Sequence, residues 1–212
     1  MYTHTRETQG SLTPTTALEI LREGNGRFCA NLKANRNLLQ QVNDTSDGQW
    51  PFAAILSCID SRTSAELVFD QGLGDIFSIR IAGNTVNEDI LGSLEFSCKI
   101  AGAKVIVVLG HSRCGAIRGA CDNVELGNLT GLLAKVRPAI DAVTQPSDPA
   151  QRTSRNDAFV ASVAHANVDQ AINMIRDNSP VLAEMRSSGA IEIVGAMYDV
   201  VTGTVEFHPG LR

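Results

Sequence analysis

A mostly parallel α/β sheet with flanking helices is the fold this sequence predicts, and three observations predict it. Residues 52–57 and 105–110 are apolar runs of strand length, which is how strands buried on both faces read. A third run lies at 76–81, and helical patterns fill the gaps. Strand, helix, strand, helix, strand at this spacing implies right-handed crossovers and a parallel sheet. Finally, two of the runs end abruptly in residues that bind metal or carry charge: Cys58, Asp60 and Arg62 after the first, His111 and Cys114 after the other. Open α/β sheets place their chemistry just beyond the strands' carboxyl ends.

The elements follow in order. Residues 1–12 are polar and expected to be poorly held. Thr13-Pro14 and Thr16-x-x-Glu19 both signal a helix start. Leu18, Leu21, Phe28 and Leu32 then line one face of a helical arm over about 13–35, with Gly24-Asn25-Gly26 as a candidate break into two helices. Such an arm ahead of the first strand is expected to pack outside its own sheet. A polar linker at 36–50 leads into the α/β core at 51–212, the whole forming a single domain. Residues 62–69 are helical in pattern, and Gly72-Leu-Gly74-Asp75 is a turn before the 76–81 strand. A helix over about 87–101 precedes the third strand, and another starts at Gly115. Pro138 kinks or divides the pattern at 129–143. A long helix fits 156–178, and Ser179-Pro180 opens the next, which Gly189 ends. The fourth strand, 191–198, joins a last one near 204–207 through Thr202-Gly203. That hairpin makes the final strand antiparallel, against about four parallel ones.

Composition excludes several classes of function. A net charge of -5 and a pI near 5.3 oppose a nucleic-acid partner, whose phosphates call for a basic surface. No apolar stretch approaches the roughly 18 residues of a membrane span, and the start has no apolar signal core, so a cytoplasmic protein is expected. Five cysteines at scattered spacing do not read as a disulfide framework. Cys29, Cys98 and Cys121 are expected to be buried and structural.

Cys58, His111 and Cys114 form a soft nitrogen-and-sulfur set that suits Zn²⁺. Only a βαβαβ arrangement brings the two pairs together, so the fold and the metal site support each other. Three ligands leave a fourth tetrahedral position for water, as in a zinc hydrolase or hydratase. Asp60 offers a competing, closed arrangement in which it is the fourth ligand. Arg62 opposes that closure, because a guanidinium two residues away is a bidentate partner for the carboxylate. With Asp60 held off, zinc brings the water's pKa toward ~7 and yields hydroxide at neutral pH. Asp60 can then accept the hydroxide's proton in a hydrogen bond and aim its lone pair at an electrophile.

Cys58-Ile-Asp-Ser-Arg62, Arg80-Ile-Ala-Gly-Asn84 and Gly110-His-Ser-Arg-Cys-Gly115 resemble the signature motifs of the β-class carbonic anhydrases, a likeness running from about residue 18 to 198. The resemblance implies reversible hydration of CO₂ to bicarbonate and a proton. It implies Cys58, His111 and Cys114 as zinc ligands, with Asp60 and Arg62 as the catalytic dyad. It further implies a homodimer or dimer of dimers, in which the N-terminal helix embraces the partner and the sites lie at the interface. Gln49, Phe77 and Gly115 fall at substrate-binding positions, the first two as in the plant-like branch. Arg80 and Tyr198 match two residues of another branch's bicarbonate effector site, but Ile55 stands where that site has Trp. Phe96 stands where the plant-like branch often has a pocket tyrosine.

Three alternatives remain open. The scaffold also resembles hydrolases of carbonyl sulfide or carbon disulfide, which use the same ligands. A non-catalytic, zinc-stabilised binding module would not need Asp60 or Arg62, and both are present. A nucleotide-binding protein would need a Gly-rich phosphate loop after the first strand, and Cys58-Ile-Asp-Ser-Arg62 is not one.

Overall fold

The computed structural model describes residues 3–209. Its centre is a five-stranded sheet in the order β2-β1-β3-β4-β5. The strands are β1 (Ala53–Ser57), β2 (Ile76–Arg80), β3 (Val105–His111), β4 (Glu192–Tyr198) and β5 (Val205–Pro209). β1 pairs in parallel with β2 and β3, β3 pairs in parallel with β4, and β5 runs antiparallel to β4. The mostly parallel sheet and its antiparallel last strand are as the sequence predicts.

Side chains alternate between the sheet's two faces. Ala53, Ile55, Val105, Val107 and Leu109 face one apolar cluster, and Ala54, Leu56, Ile106 and Val108 face the other. The first cluster is closed by α2 (Pro14–Cys29) and α4 (Ala65–Val68). The second is closed by α5 (Glu88–Glu95), which runs on into a π-helical turn at Phe96–Ile100, and by α9 (Asp157–Asn178) and α10 (Pro180–Ser187). A third cluster extends that side beyond the strand ends. It joins α9 to α6 (Gly115–Cys121), α7 (Gly127–Ala134) and α8 (Arg137–Ala142). The expected division at Pro138 is therefore real, with the proline in the first turn of α8.

The N-terminal third departs most from expectation. The segment read as poorly held contains α1 (Arg6–Ser11), capped by Thr5, while residues 1 and 2 lie outside the described residues. The Gln9 amide anchors this helix by donating to the carbonyls of Pro51 at 2.6 Å and Ala101 at 2.7 Å. Thr13 caps α2, which runs unbroken through Gly24-Asn25-Gly26 and stops at Cys29 rather than near residue 35. Gly24 serves close packing: a Cβ there would lie 1.8 Å from the Phe69 carbonyl oxygen. Asn25, buried, donates to the carbonyls of Val68 at 3.1 Å and Gly203 at 2.9 Å, and accepts from the Val205 N–H at 2.8 Å. The apolar face of α2 is spent on its own sheet through Ala17, Leu18 and Leu21, contrary to the arm reaching outward. The 36–50 linker contains α3 (Leu38–Asp44), capped by Asn37, and the helix read at 62–69 shrinks to the four residues of α4. Cys98 and Cys121 are buried as expected, and burial pushes their thiols up to about 12 and about 11. Cys29 is exposed instead, because it ends α2 at the solvent edge, where its thiol lies 3.2 Å from the Gly203 carbonyl.

Asp70 ties the segment after α2 to the core. Its carboxylate accepts from Arg27 at 2.5 Å, Arg36 at 2.6 Å and the Ala34 N–H at 3.1 Å, and its own side chain and that of Arg36 are buried. Burial pushes its pKa up, but these donors outweigh burial and hold it below the usual carboxylate range. Its folded pKa is thus depressed, so the stabilisation is full above the unfolded carboxylate pKa of about 3.9 and is lost as pH falls through the folded one. Asp70→Asn should cost about 3–5 kcal/mol at neutral pH, because it leaves the buried Arg36 guanidinium without its compensating charge. Urea unfolding at pH 7 and in acid reads this, and a variant equal to the parent at pH 7 contradicts it.

Candidate metal centre

β1 and β3 are neighbours in register, with Ser57 opposite Leu109, so their carboxyl ends open side by side. Cys58 follows β1 directly, His111 is the last residue of β3, and Cys114 caps the start of α6. Cys58 continues the alternation of Ala54 and Leu56 and points to the α9 side, where Cys114 and α6 also pack. The three side chains are 4%, 1% and 2% exposed, and one ligand atom from each lies within 4.8 Å of the others.

Each donor atom has a chemical reason to be a ligand. The two sulfurs are 3.9 Å apart, against about 3.8 Å for adjacent tetrahedral corners at zinc–sulfur distance. His111 Nδ1 lies 3.0 Å from the Ser112 carbonyl, which can only accept, so Nδ1 carries the proton. Nε2 is then a bare lone pair, and it is buried without a hydrogen-bond partner. An orphaned buried acceptor is costly unless something binds it. The Cys114 thiol donates toward Cys58, and this, with the Gly83 N–H 3.3 Å from Cys58 Sγ, outweighs burial and holds the Cys58 thiol below its ordinary value. The same contact, reinforced by burial, pushes Cys114 up. A cation replacing the shared proton fits this set, and the residues fit Zn²⁺.

Asp60 is outside the convergent group. Arg62 Nε donates to one carboxylate oxygen at 2.9 Å and Nη2 to the other at 2.8 Å, and the Arg62 backbone N–H adds a third bond at 3.0 Å. The guanidinium holds the Asp60 carboxyl far below the usual carboxylate range. Asp60 is thus paired with Arg62, as their spacing leads one to expect. Two residues make the 58–62 turn rigid. Arg80, on the adjacent strand, donates to the carbonyls of Cys58 at 3.0 Å and Asp60 at 2.6 Å. The Thr63 hydroxyl reaches the same two carbonyls at 3.1 and 2.9 Å. Sequence reasoning missed Thr63, although a hydroxyl next to a motif rich in turn residues is a signal for such back-bonding.

A family model described as carbonic anhydrase matches residues 53–205, which hold every residue of this site. The chain belongs to the carbonic anhydrase family. Within it, the chain is 34% identical over 195 residues to carbonic anhydrase 2 of Mycobacterium tuberculosis, covering 90% of each chain. It is also 34% identical over 203 residues to the carbonic anhydrase of Mycolicibacterium smegmatis, covering 93% of this chain and 95% of that one. Among solved structures, it is similar to a tetrameric β-carbonic anhydrase of Sordaria macrospora, with TM-score 0.68, 24% identity and 91% and 96% of the two chains covered. A Coccomyxa β-carbonic anhydrase in complex with acetazolamide aligns with TM-score 0.69, 21% identity and 94% and 90% coverage. Those two likenesses show the fold, and the family is the β-class of carbonic anhydrases.

Of the remaining expected carbonic anhydrase site residues, Gly115 adjoins a ligand, whereas Phe77 and Gln49 lie apart from all three. Gly115 opens α6 beside Cys114, with open space where a Cβ would stand. Phe77 is in the body of β2 opposite Ala54, with its ring edge-on to Phe96 at 6.2 Å. Gln49 is exposed ahead of β1, at the end of the strand away from Cys58. No helix among the described residues is long and apolar enough to cross a membrane.

Proposed function

We propose that the chain catalyses reversible hydration of CO₂ to bicarbonate and a proton, with a zinc ion held by Cys58, His111 and Cys114. The convergence of three buried ligand atoms within 4.8 Å carries this reading, with Asp60 bonded away by Arg62. Bound there, Zn²⁺ supplies the Lewis acidity that brings the pKa of a water toward ~7. Asp60 is the anion that accepts a hydrogen bond from that attacking oxygen and turns its lone pair toward CO₂. Arg62 keeps Asp60 ionised and off the metal, and Arg80 and Thr63 hold the turn that carries both. Purified protein should contain about one zinc per chain, as a three-ligand site requires. It should hydrate CO₂ in stopped flow with a rate rising from pH 7 to 9. Loaded protein that leaves CO₂ untouched at pH 9, or that releases sulfide from carbonyl sulfide instead, overturns the proposal.

The chain acts, on this reading, as a single domain whose substrate pocket is shared between two copies. β1 alone spans about 16 Å, so Gln49 cannot reach the Cys58 of its own chain, and Phe77 is likewise set back from it. Both roles therefore call for a homodimer, or a dimer of dimers. The exposed Leu38, Leu39 and Val42 of α3 supply apolar surface for it. Mixing tests this directly. In a hybrid dimer of Asp60→Asn and Gln49→Ala chains, one site is doubly damaged and the other is intact. Re-associated equimolar chains should recover about a quarter of parental activity from two weakly active parents. No recovery from hybrids shown to form, or a stable monomer in sedimentation, removes the shared pocket. The thiol ligands also suit a reducing compartment, the cytoplasm, which fractionation tests.

A further inference from the structure

α9 presents an apolar stripe to the sheet through Val160, Val163, Ala164, Val168, Ala171, Ile172 and Ile175. Asn167 interrupts it. An amide there is 3% exposed at a position where the helical period calls for an aliphatic side chain. Burying an amide is unfavourable unless it is hydrogen-bonded. Its Nδ2 donates to one acceptor, the Gly83 carbonyl, at 2.8 Å. Gly83 in turn directs its own N–H at Cys58 Sγ, 3.3 Å away.

The middle link explains why an anchor is needed. Gly83 sits in a one-turn 3₁₀ segment, Ala82–Asn84, with φ of 69° and ψ of 20°. A side chain is disfavoured there by the left-handed backbone, and a Cβ would meet that of Ala116 at 3.3 Å. Glycine is required, yet glycine alone is free to rotate its N–H away from the sulfur at little cost. Fixing its carbonyl from α9 removes that freedom.

We infer that Asn167 is a positioning residue of the metal site, holding Gly83 so that its N–H stays bonded to the Cys58 sulfur. The inference rests on the reading of Cys58 as a metal ligand. A hydrogen bond to a thiolate draws electron density from sulfur, favours the deprotonated ligand and limits how much charge it donates to the metal. Outer-shell donors of this kind typically alter metal affinity by about 10–100-fold.

The test is Asn167→Leu, which keeps the side chain's approximate volume and restores the apolar stripe, with Asn167→Ala beside it as a variant that cannot crowd the site. Each is compared with the parent after exchange into Co²⁺, whose thiolate charge-transfer band reports electron density at the sulfurs. Metal loss to a chelator is timed in parallel. The expected result is a band moved to longer wavelength and metal loss faster by about 10–100-fold, with the urea midpoint of Asn167→Leu near or above that of the parent. A folded variant with the parental band and parental metal loss overturns the role of Asn167. If the parent itself shows no thiolate band with Co²⁺, the reading of Cys58 as a ligand fails instead, and the two failures are distinct.

Discussion

His111→Ala is expected to yield folded protein that purifies with almost no zinc and hydrates CO₂ at the uncatalysed rate. The effect should be the largest available from one substitution, because two thiolates alone leave the cation half-coordinated. Without the ion the attacking water would keep its ordinary pKa, far above the neutral range. Cys58→Ser and Cys114→Ser should fall into the same class, since a hydroxyl is a poor, protonated substitute for thiolate. Metal analysis and stopped-flow hydration of the same sample check this. The fold should survive in His111→Ala, because His111 sits at the end of β3 and its backbone pairing with Tyr198 does not need the ring. A variant that keeps stoichiometric zinc and parental rate would dismantle the centre as assigned.

Asp60→Asn should separate binding from chemistry. None of the three ligands is touched, so zinc content should stay at the parental level. Hydration should nonetheless fall by about 10²–10⁴-fold, the usual contribution of a positioned proton acceptor. The sign of the pH dependence follows from the direction of the shift. Arg62 holds the Asp60 carboxyl well below the usual carboxylate range, so Asp60 stays anionic throughout pH 7–9. A rise in rate across that window therefore belongs to the attacking water, and its midpoint should not track Asp60. Arg62→Ala should act differently, freeing the carboxylate to turn toward the metal and depressing activity with zinc retained. Parental rates in Asp60→Asn would deny the carboxylate any part in turnover.

Much of this was legible in the sequence for a specific reason. Strands buried on both faces leave unbroken apolar runs, and Cys58 and His111 stand where those runs end. Arg62, two residues from Asp60, was likewise sufficient to anticipate the ion pair between them. What the sequence hid depends on contacts far along the chain. Gly24-Asn25-Gly26 reads as a break, yet it is the place where α2 approaches Phe69 most closely, and only the fold supplies that neighbour. α1 and α3 are six and seven residues long, too short for periodicity to give a signal, and the caps at Thr5 and Asn37 mark where they begin. Cys29 was misread because burial at the end of a helix depends on what covers it. Gly83 acts through its backbone amide and carbonyl, whose partners no residue pattern announces.

The three bonds of Asn25 have a consequence for how the protein is made. One joins the first long helix to α4, and the other two reach Gly203 and Val205, about 180 positions further along. A ribosome must therefore deliver about 180 further residues before that amide can be satisfied, and the N-terminal helix must wait for the closing hairpin to lock into place. Long-range closure of this kind slows maturation and prolongs the interval in which chaperones attend the nascent chain.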